Sequence, residues 1–496
     1  MRQGFVFARA LSRAHTTFWP GLVPLLWAVA VSVGGAEPTG TSGWVSRFIT
    51  WHRDNEFRAL ARPNSANLAW FEANLLRSYL NLFSATADTF WLDRFTFHAD
   101  SLVSLMRDFP DSDNCWPGYQ DGFLGWGTTS YDPQGRYQEY LVHDAVISLP
   151  LARFIRLVSS NPGLQQRFRA QADRYQLVLE DNIVAKWARN WGARRGTGGA
   201  LESFGGWLNL PVNQFLAFGE LLLVLSDIHN AKGYVTPHPL VPATFYTAVP
   251  ESMAALFYDG LCLDSAADAW VWTHWPTTVP DPRPEDIAHA NLDLSFALAA
   301  AQHQLVFTET ELGRFSRTFT RLVWNQQVDP LQFRRFVAGR GEPDSILALE
   351  SWVRLAGFCP PLLELVSRAI EAIPAQLMNV SMASTSAQIA ALTSSPAADK
   401  IRNPHSELPT RSSPVFAPAV PGTGSAIVAR GRSFPSASGA GIQAGPFSQG
   451  ACRVRVFDRA GRHCAYPPDR PLSAGVYLCQ FEASGRTWVR PLVVIR

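Results

Sequence analysis

The chain has 496 residues, 47% of them hydrophobic and 17% charged, and a formal net charge of +2. That length has room for one large domain and a small one, and so balanced a charge excludes the basic footprint of a nucleic-acid-binding or membrane-surface protein. Six cysteines, at positions 115, 262, 359, 452, 464 and 479, include no C-x-x-C pair and no metal-type spacing, so neither a metal nor another cofactor is expected, and Cys115, Cys262 and Cys359 read as buried thiols.

The N-terminus carries Arg2, Arg9 and Arg13, then an apolar stretch from Pro20 to Val33, then Gly34-Gly35-Ala36. A basic leader, a short apolar core and a small-residue site predict a secretory signal peptide over 1–36. The apolar run is shorter than the ~20 residues a spanning helix requires. The protein is therefore expected to be exported and soluble.

From 44 to about 375 the rhythm is helical and the helices come in pairs. Residues 67–80 place apolar side chains at i, i+3, i+4 and i+7, and 90–107 answer them across a short connection at Ser84–Asp88. Further pairs are 138–159 with 164–188, 211–228 with 243–258, 285–303 with 309–324 (Thr308 placed to cap), and 344–356 with 361–373. Longer segments, 108–137, 189–210, 259–284 and 325–343, separate the pairs. Short loops within pairs and long loops between them would gather the long ones at one end of a ring. This predicts a mainly α fold: an α/α toroid of about five to six hairpins over 44–375, with a cleft at the long-loop end. Unequal pair lengths argue against a solenoid of fixed period.

Residues 376–420 are rich in Ser, Ala, Pro and Thr and read as a linker. Beyond them, β-branched and aromatic residues at spacing two, cut by Gly, Asp and Pro, predict a small antiparallel β-sandwich over 421–496, with Cys452 and Cys479 on neighbouring strands a pair able to oxidise. The wording "VRVFDRAGR…LSAGVYLCQFEASGRTWVRPLVVIR" resembles the type A sorting domain of the bacterial type IX secretion system. That resemblance implies passage across the outer membrane, with its secretion machinery as a partner and the cell surface or medium as destination.

Two upstream segments could carry chemistry. The first runs from Gly122 to Asp144, a glycine-rich aromatic loop leading into a helix. It offers Trp126, Tyr131, Arg136, Tyr137, Glu139, Tyr140, His143 and Asp144, with Tyr140 and Asp144 four apart on one helix face. The second is Trp270–Trp275 followed by Arg283–Asp293. Here Asp286, His289 and Asp293 recur at i, i+3 and i+7 along one stripe, beside Glu285 and Asn291, and Glu285 or Asp286 after Pro284 equally suits a helix cap. Of 17 tryptophans, 14 fall between Trp44 and Trp352, which makes Trp126, Trp272 and Trp275 candidate stacking platforms for sugar rings, with core filling the plainer role.

The paired-helix rhythm with "GWGTTSY…GRYQEYLVHDA" and "VWTHWP…EDIAHANLDLSFALAAAQHQLVFT" resembles exported bacterial proteins of the six-hairpin glycosidase-like class over roughly 60–330. The resemblance implies a polysaccharide or oligosaccharide partner and leaves the reaction open among three alternatives. A lyase or epimerase needs a neutral base (His143 or His289), a tyrosine (Tyr131, Tyr137 or Tyr140) and a group to neutralise the uronate (Arg136 or Asn213). A hydrolase needs two carboxylates, Asp286 or Glu285 against Glu139 or Asp144. A surface glycan-binding or scaffold protein that keeps the toroid without turnover fits the abundance of tryptophan, and the protein is expected to be a monomer. Asn213 stands alone, without the paired Asn-Asn-His signature of some lyases in that class.

Overall fold

The computed structural model describes residues 40–109, 121–132, 134–189, 210–232, 241–276 and 283–394, and the backbone of four strands between 453 and 494. The leader, Cys115 and the Cys452–Cys479 pairing lie outside the described residues. The chain divides into two compact units, 1–407 and 408–496.

The first unit is helical. Its α-helices longer than four residues are α1 (Thr41–Asn55), α2 (Ala73–Thr86, entered through the π-helical turn Leu68–Glu72), α3 (Phe90–Ser104), α4 (Leu141–Ser160), α5 (Pro162–Val178), α6 (Val212–Lys232), α7 (Phe245–Asp259), α8 (Ile287–Gln302), α9 (Glu309–Arg317), α10 (Glu350–Arg354), α11 (Pro361–Glu371) and α12 (Val380–Ser394). Three two-stranded ribbons interrupt them: β1–β2 (Gly127–Thr128, Gln138–Glu139), β3–β4 (Cys262–Asp264, Ala269–Val271) and β5–β6 (Arg334–Phe336, Arg340–Pro343). Local chemistry sets the ends. Asn161 accepts from Gly163 N at 3.0 Å and precedes Pro162 at the first position of α5, and Thr308 with Glu311 forms a capping box on α9.

Burial separates the helices into two kinds. In α4, α6 and α8 about three positions in four are buried, as in Leu221-Leu222-Leu223-Val224-Leu225, whereas α11 buries only Leu362, Val366 and Ile370. A helix apolar all round must be surrounded; one with a single apolar stripe covers it from outside. Packing follows suit: α2 lies on α4, α4 on α6, α6 on α8, α8 on α10, α10 on α12, and α12 back on α2. The odd-numbered helices pack against these, α3 on α2, α5 on α4, α7 on α6, α9 on α8 and α11 on α10, with α1 on α12.

A buried polar network joins the even-numbered helices. Arg77 (α2) pairs with Glu350 (α10) at 3.1 Å, and Ser384 (α12) donates to the same carboxylate at 2.8 Å. Arg153 (α4) pairs with Glu220 (α6) at 2.5 Å, Ser295 (α8) donates to Glu220 at 2.9 Å, and Arg354 donates to Ser295 at 3.2 Å. Each helix of the closed set contributes a member.

Two expectations are corrected. The linker expected from 376 begins later, because Val380–Ser394 is helical and buries Met382, Ala383, Ala387, Ile389 and Ala390 against α2 and α1. Its small side chains allow close helix approach, and that composition imitates a linker. Cys262 is exposed on β3 and Cys359 half-buried, both as free thiols, in place of the buried thiols expected.

The second unit shows a four-stranded antiparallel sheet in the order β10-β9-β7-β8: β7 is Arg453–Phe457, β8 His463–Cys464, β9 Gly475–Ala483 and β10 Arg486–Val494. Ala483 faces Arg486 and Gly475 faces Val494, so β9 and β10 pair along their whole length.

Candidate functional site

The starts of the even-numbered helices share one end of the first unit. Ser65, ahead of α2, meets His143 in the first turn of α4 at 2.8 Å. Val212 N of α6 donates to His274 O at 2.9 Å, Ser351 N of α10 donates to Asn291 Oδ1 of α8 at 2.7 Å, and Leu349 N bonds Thr385 Oγ1 of α12 at 3.3 Å. Both candidate segments lie at this end.

The second segment builds the richer site. Past β4 the chain runs antiparallel to 283–285: His274 N donates to Arg283 O and Glu285 N to Trp272 O, each at 3.0 Å. This pairing sets His274 Nδ1 3.0 Å from Glu285 Oε1. Asp286 then caps α8, its Oδ1 accepting from Ala288 N at 3.1 Å and His289 N at 2.9 Å, while its Oδ2 lies 2.8 Å from His289 Nδ1. The rings of His274 and His289 are 5.2 Å apart, and Glu285 Oε1 is 3.8 Å from His289 Nδ1. Glu285 is fully buried, whereas the side chains of His274 and His289 keep 20% and 30% of their surface, so the imidazoles face outward and the carboxylates stand behind them. Ligand-capable atoms of His274, Glu285 and His289 all lie within 4.8 Å of one another.

Electrostatics sharpen the arrangement. Burial opposes charge on both members of the Asp286–His289 pair, but their mutual attraction outweighs it. His289 is raised to about 9 and the Asp286 carboxyl is held below the usual range. Asp293, one turn further along α8, is pushed well up by burial and by repulsion from Glu285. Its Oδ2 accepts from Trp272 Nε1 at 2.8 Å and its Oδ1 has no hydrogen-bond partner. Asp344 is raised to about 6, chiefly by burial.

The first segment is arranged differently. Glu139 on β2 and Asp144 on α4 are both fully buried against Lys186, at 2.7 and 2.5 Å from its Nζ. Trp187 Nε1 and Trp126 N also donate to Asp144, at 2.9 and 3.2 Å. A Cβ at Gly125 would land on Glu139 Oε1 and Lys186 Nζ, so the loop glycine exists for close approach to this triad. Tyr140 is the residue before α4 and does not share a face with Asp144. It packs with Tyr131 and His143 at ring separations of 5.3–5.5 Å, under Trp70. His143 is buried in that aromatic cage. Tyr137 is exposed and stacked on Phe109, and Arg136 pairs with Asp132 at 2.7 Å.

The structure therefore brings together Glu285, Asp286 and His289, and separately Tyr131, Tyr140 and His143, while Glu139 and Asp144 belong to an ion triad. Trp126, Trp272 and Trp275 are buried instead of forming exposed platforms: Trp126 donates to Leu102 O and Trp272 clamps Asp293. Asn291 is committed to Ser351 N, and Asn213 is buried in the first turn of α6 with its Oδ1 unbonded. No family model, curated protein or solved structure matches the chain.

Sequence reading passed over His274 and Lys186. His274 lies within Trp270–Trp275, but its partner arrives only when 272–275 pairs with 283–285. Lys186 had a visible signal: one of three lysines in the chain, set in the apolar run Ile183-Val184-Ala185-Lys186-Trp187.

Proposed function

We propose that this is an exported carbohydrate-active protein that moves a proton at a uronic acid of a polysaccharide, by β-elimination or epimerisation. The observation that carries the reading is the pair of imidazoles 5.2 Å apart, each backed by its own carboxylate and both partly open to solvent. His274, its Nδ1 held by Glu285, takes the proton α to the uronate carboxylate. Glu285 stabilises the imidazolium that forms. In β-elimination the C–O bond to the leaving sugar then breaks and His289, charged through Asp286, gives its proton to the departing oxygen; in epimerisation a proton returns on the opposite face. The closed neighbour order of α2, α4, α6, α8, α10 and α12 supports the α/α toroid. In that architecture the positive helix ends ring the site, which favours an anionic sugar.

Hydrolysis is less well supported. Of its proposed carboxylate pair, Glu139 and Asp144 are both fully buried against Lys186. Glycan binding without turnover is less well supported too, because the candidate stacking platforms Trp126, Trp272 and Trp275 are buried. The β7–β10 sheet supports the reading of the second unit as a β-sandwich sorting domain, which implies outer-membrane secretion of a monomer and a location in the medium or on the cell surface.

The test is incubation of the leaderless chain with a panel of acidic and neutral polysaccharides, followed by ultraviolet absorbance of unsaturated uronate, reducing ends and solvent-deuterium exchange. Absorbance or exchange that falls ~10²–10⁴-fold in His274→Gln supports the reading. Reducing ends alone would establish hydrolysis, and retention on a glycan column without turnover a binding protein.

A further inference from the structure

The carboxylate shared by His274 and His289 points beyond proton transfer. Glu285 Oε1 sits between the two imidazoles, 3.0 Å from His274 Nδ1 and 3.8 Å from His289 Nδ1. A tetrahedral zinc-type ion with bonds of about 2.0–2.2 Å holds its ligand atoms roughly 3.3–3.6 Å apart, so the two separations from Glu285 bracket that spacing, while the three ligand atoms as a set lie within 4.8 Å. Glu285 is anchored by the bond from Asp286 N to its Oε1 at 3.0 Å, and the partly exposed imidazoles are the groups that turn to close on an ion, His289 Nδ1 leaving Asp286 Oδ2 as it does so.

A second observation is independent of that geometry. Asp293 is fully buried one turn behind His289, within electrostatic range of both Glu285 and His289, and its Oδ1 has no hydrogen-bond partner. Buried polar atoms are seldom left so, and a cation in front of the cluster would compensate this carboxylate.

We propose that His274, Glu285 and His289 bind a divalent transition-metal ion of the zinc class. Two imidazoles and a carboxylate are the donor set that such ions favour over magnesium or calcium. The ion replaces protons: as each nitrogen–metal bond forms, the proton on that nitrogen passes to solvent. Resting on the proton-transfer reading, the consequence is that metal and turnover exclude one another, because an ion on the Nδ1 atoms takes the place of the Glu285 and Asp286 hydrogen bonds that orient the two rings and charge His289. The site becomes a metal-inhibited one, restored by a chelator.

Cobalt(II) titrated into the tag-free leaderless chain tests this, read by its visible ligand-field absorbance and by proton release. The expected result is a saturable spectrum at one ion per chain, with affinity lowered at least ~10-fold in His274→Gln and in Glu285→Gln and unchanged in His303→Gln, whose imidazole faces Asp227 at 3.2 Å. Each variant is checked for cooperative unfolding, and metal-induced protection against thermal unfolding gives a second readout. An absent spectrum, or one that persists in His274→Gln, overturns the proposal. Turnover that continues with the metal bound overturns the exclusion. Cobalt binding without activity on any glycan would refute the proton-transfer reading and leave the metal site standing, while turnover without cobalt binding would do the reverse.

Discussion

Asp286 serves His289 twice. Its Oδ1 accepts the His289 backbone N–H at 2.9 Å, capping α8, and its Oδ2 meets the same residue's Nδ1 at 2.8 Å. The cap fixes the carboxylate, and the carboxylate then fixes both the ring and its proton.

That pair makes stability depend on pH in a stated direction. His289 is raised from 6.5 to about 9, so its contribution is complete below about 6.5 and disappears as pH climbs through 9. Asp286 is depressed, so its share is present above the usual carboxyl range and disappears as pH falls through it. Denaturant midpoints measured against pH should show wild type and His289→Gln furthest apart near pH 5–6 and converging by about pH 10. Curves that stay parallel across pH 6–10 would mean the imidazole carries no extra proton.

Lys186→Met should be among the most damaging single changes. It leaves Glu139 and Asp144, both fully buried, without their cation, a loss of about 3–5 kcal/mol by chemical denaturation. Gly125→Ala should destabilise by about 1–3 kcal/mol through the same triad, because the new methyl displaces ion-paired atoms. If Lys186→Met unfolds with wild-type stability, the triad is not the structural unit described.

These residues also show what the sequence made legible. Helix pairs were readable because their signals are local: Asn161-Pro162 between α4 and α5, or the Thr308–Glu311 box opening α9. The chemistry of Glu139 was not, because Lys186 reaches it from 47 residues away and converts a candidate acid into half of an ion pair. Asp286 and His289 were legible as neighbours at helical spacing, but His274 joined them only through strand-like pairing across 272–285. Small side chains misled at α12, where Ala and Ser permit close packing and read as a linker.

Trp272 links core and site. Its Nε1 is the hydrogen bond holding Asp293, whose other oxygen is unpartnered. Trp272→Phe keeps most of the ring packing against Phe315 and Trp352 but removes the donor, at an expected cost of about 1–3 kcal/mol. The variant's loss should grow with pH, because the donor favours the ionised form of a carboxyl that burial already pushes up. A loss that does not change with pH would show that Asp293 holds one proton state throughout.

The last prediction concerns closure. α12 packs on both α1 and α2, receives the Leu349 N–H on Thr385, donates from Ser384 to Glu350, and meets the start of α1 through Thr393 and Thr41 at 3.1 Å. A chain ending after Pro374 removes these contacts and exposes flanks of α2 and α1 that are otherwise covered. It also takes Ser384 from the carboxylate that Arg77 shares. Such a chain should be recovered as aggregate or unfold without a cooperative transition, whereas one ending after Glu407 should unfold in a single step. Cooperative unfolding of the shorter chain near the longer one's midpoint would mean that α12 is an appendage. It would also withdraw the closed order of helices on which the toroid reading rests.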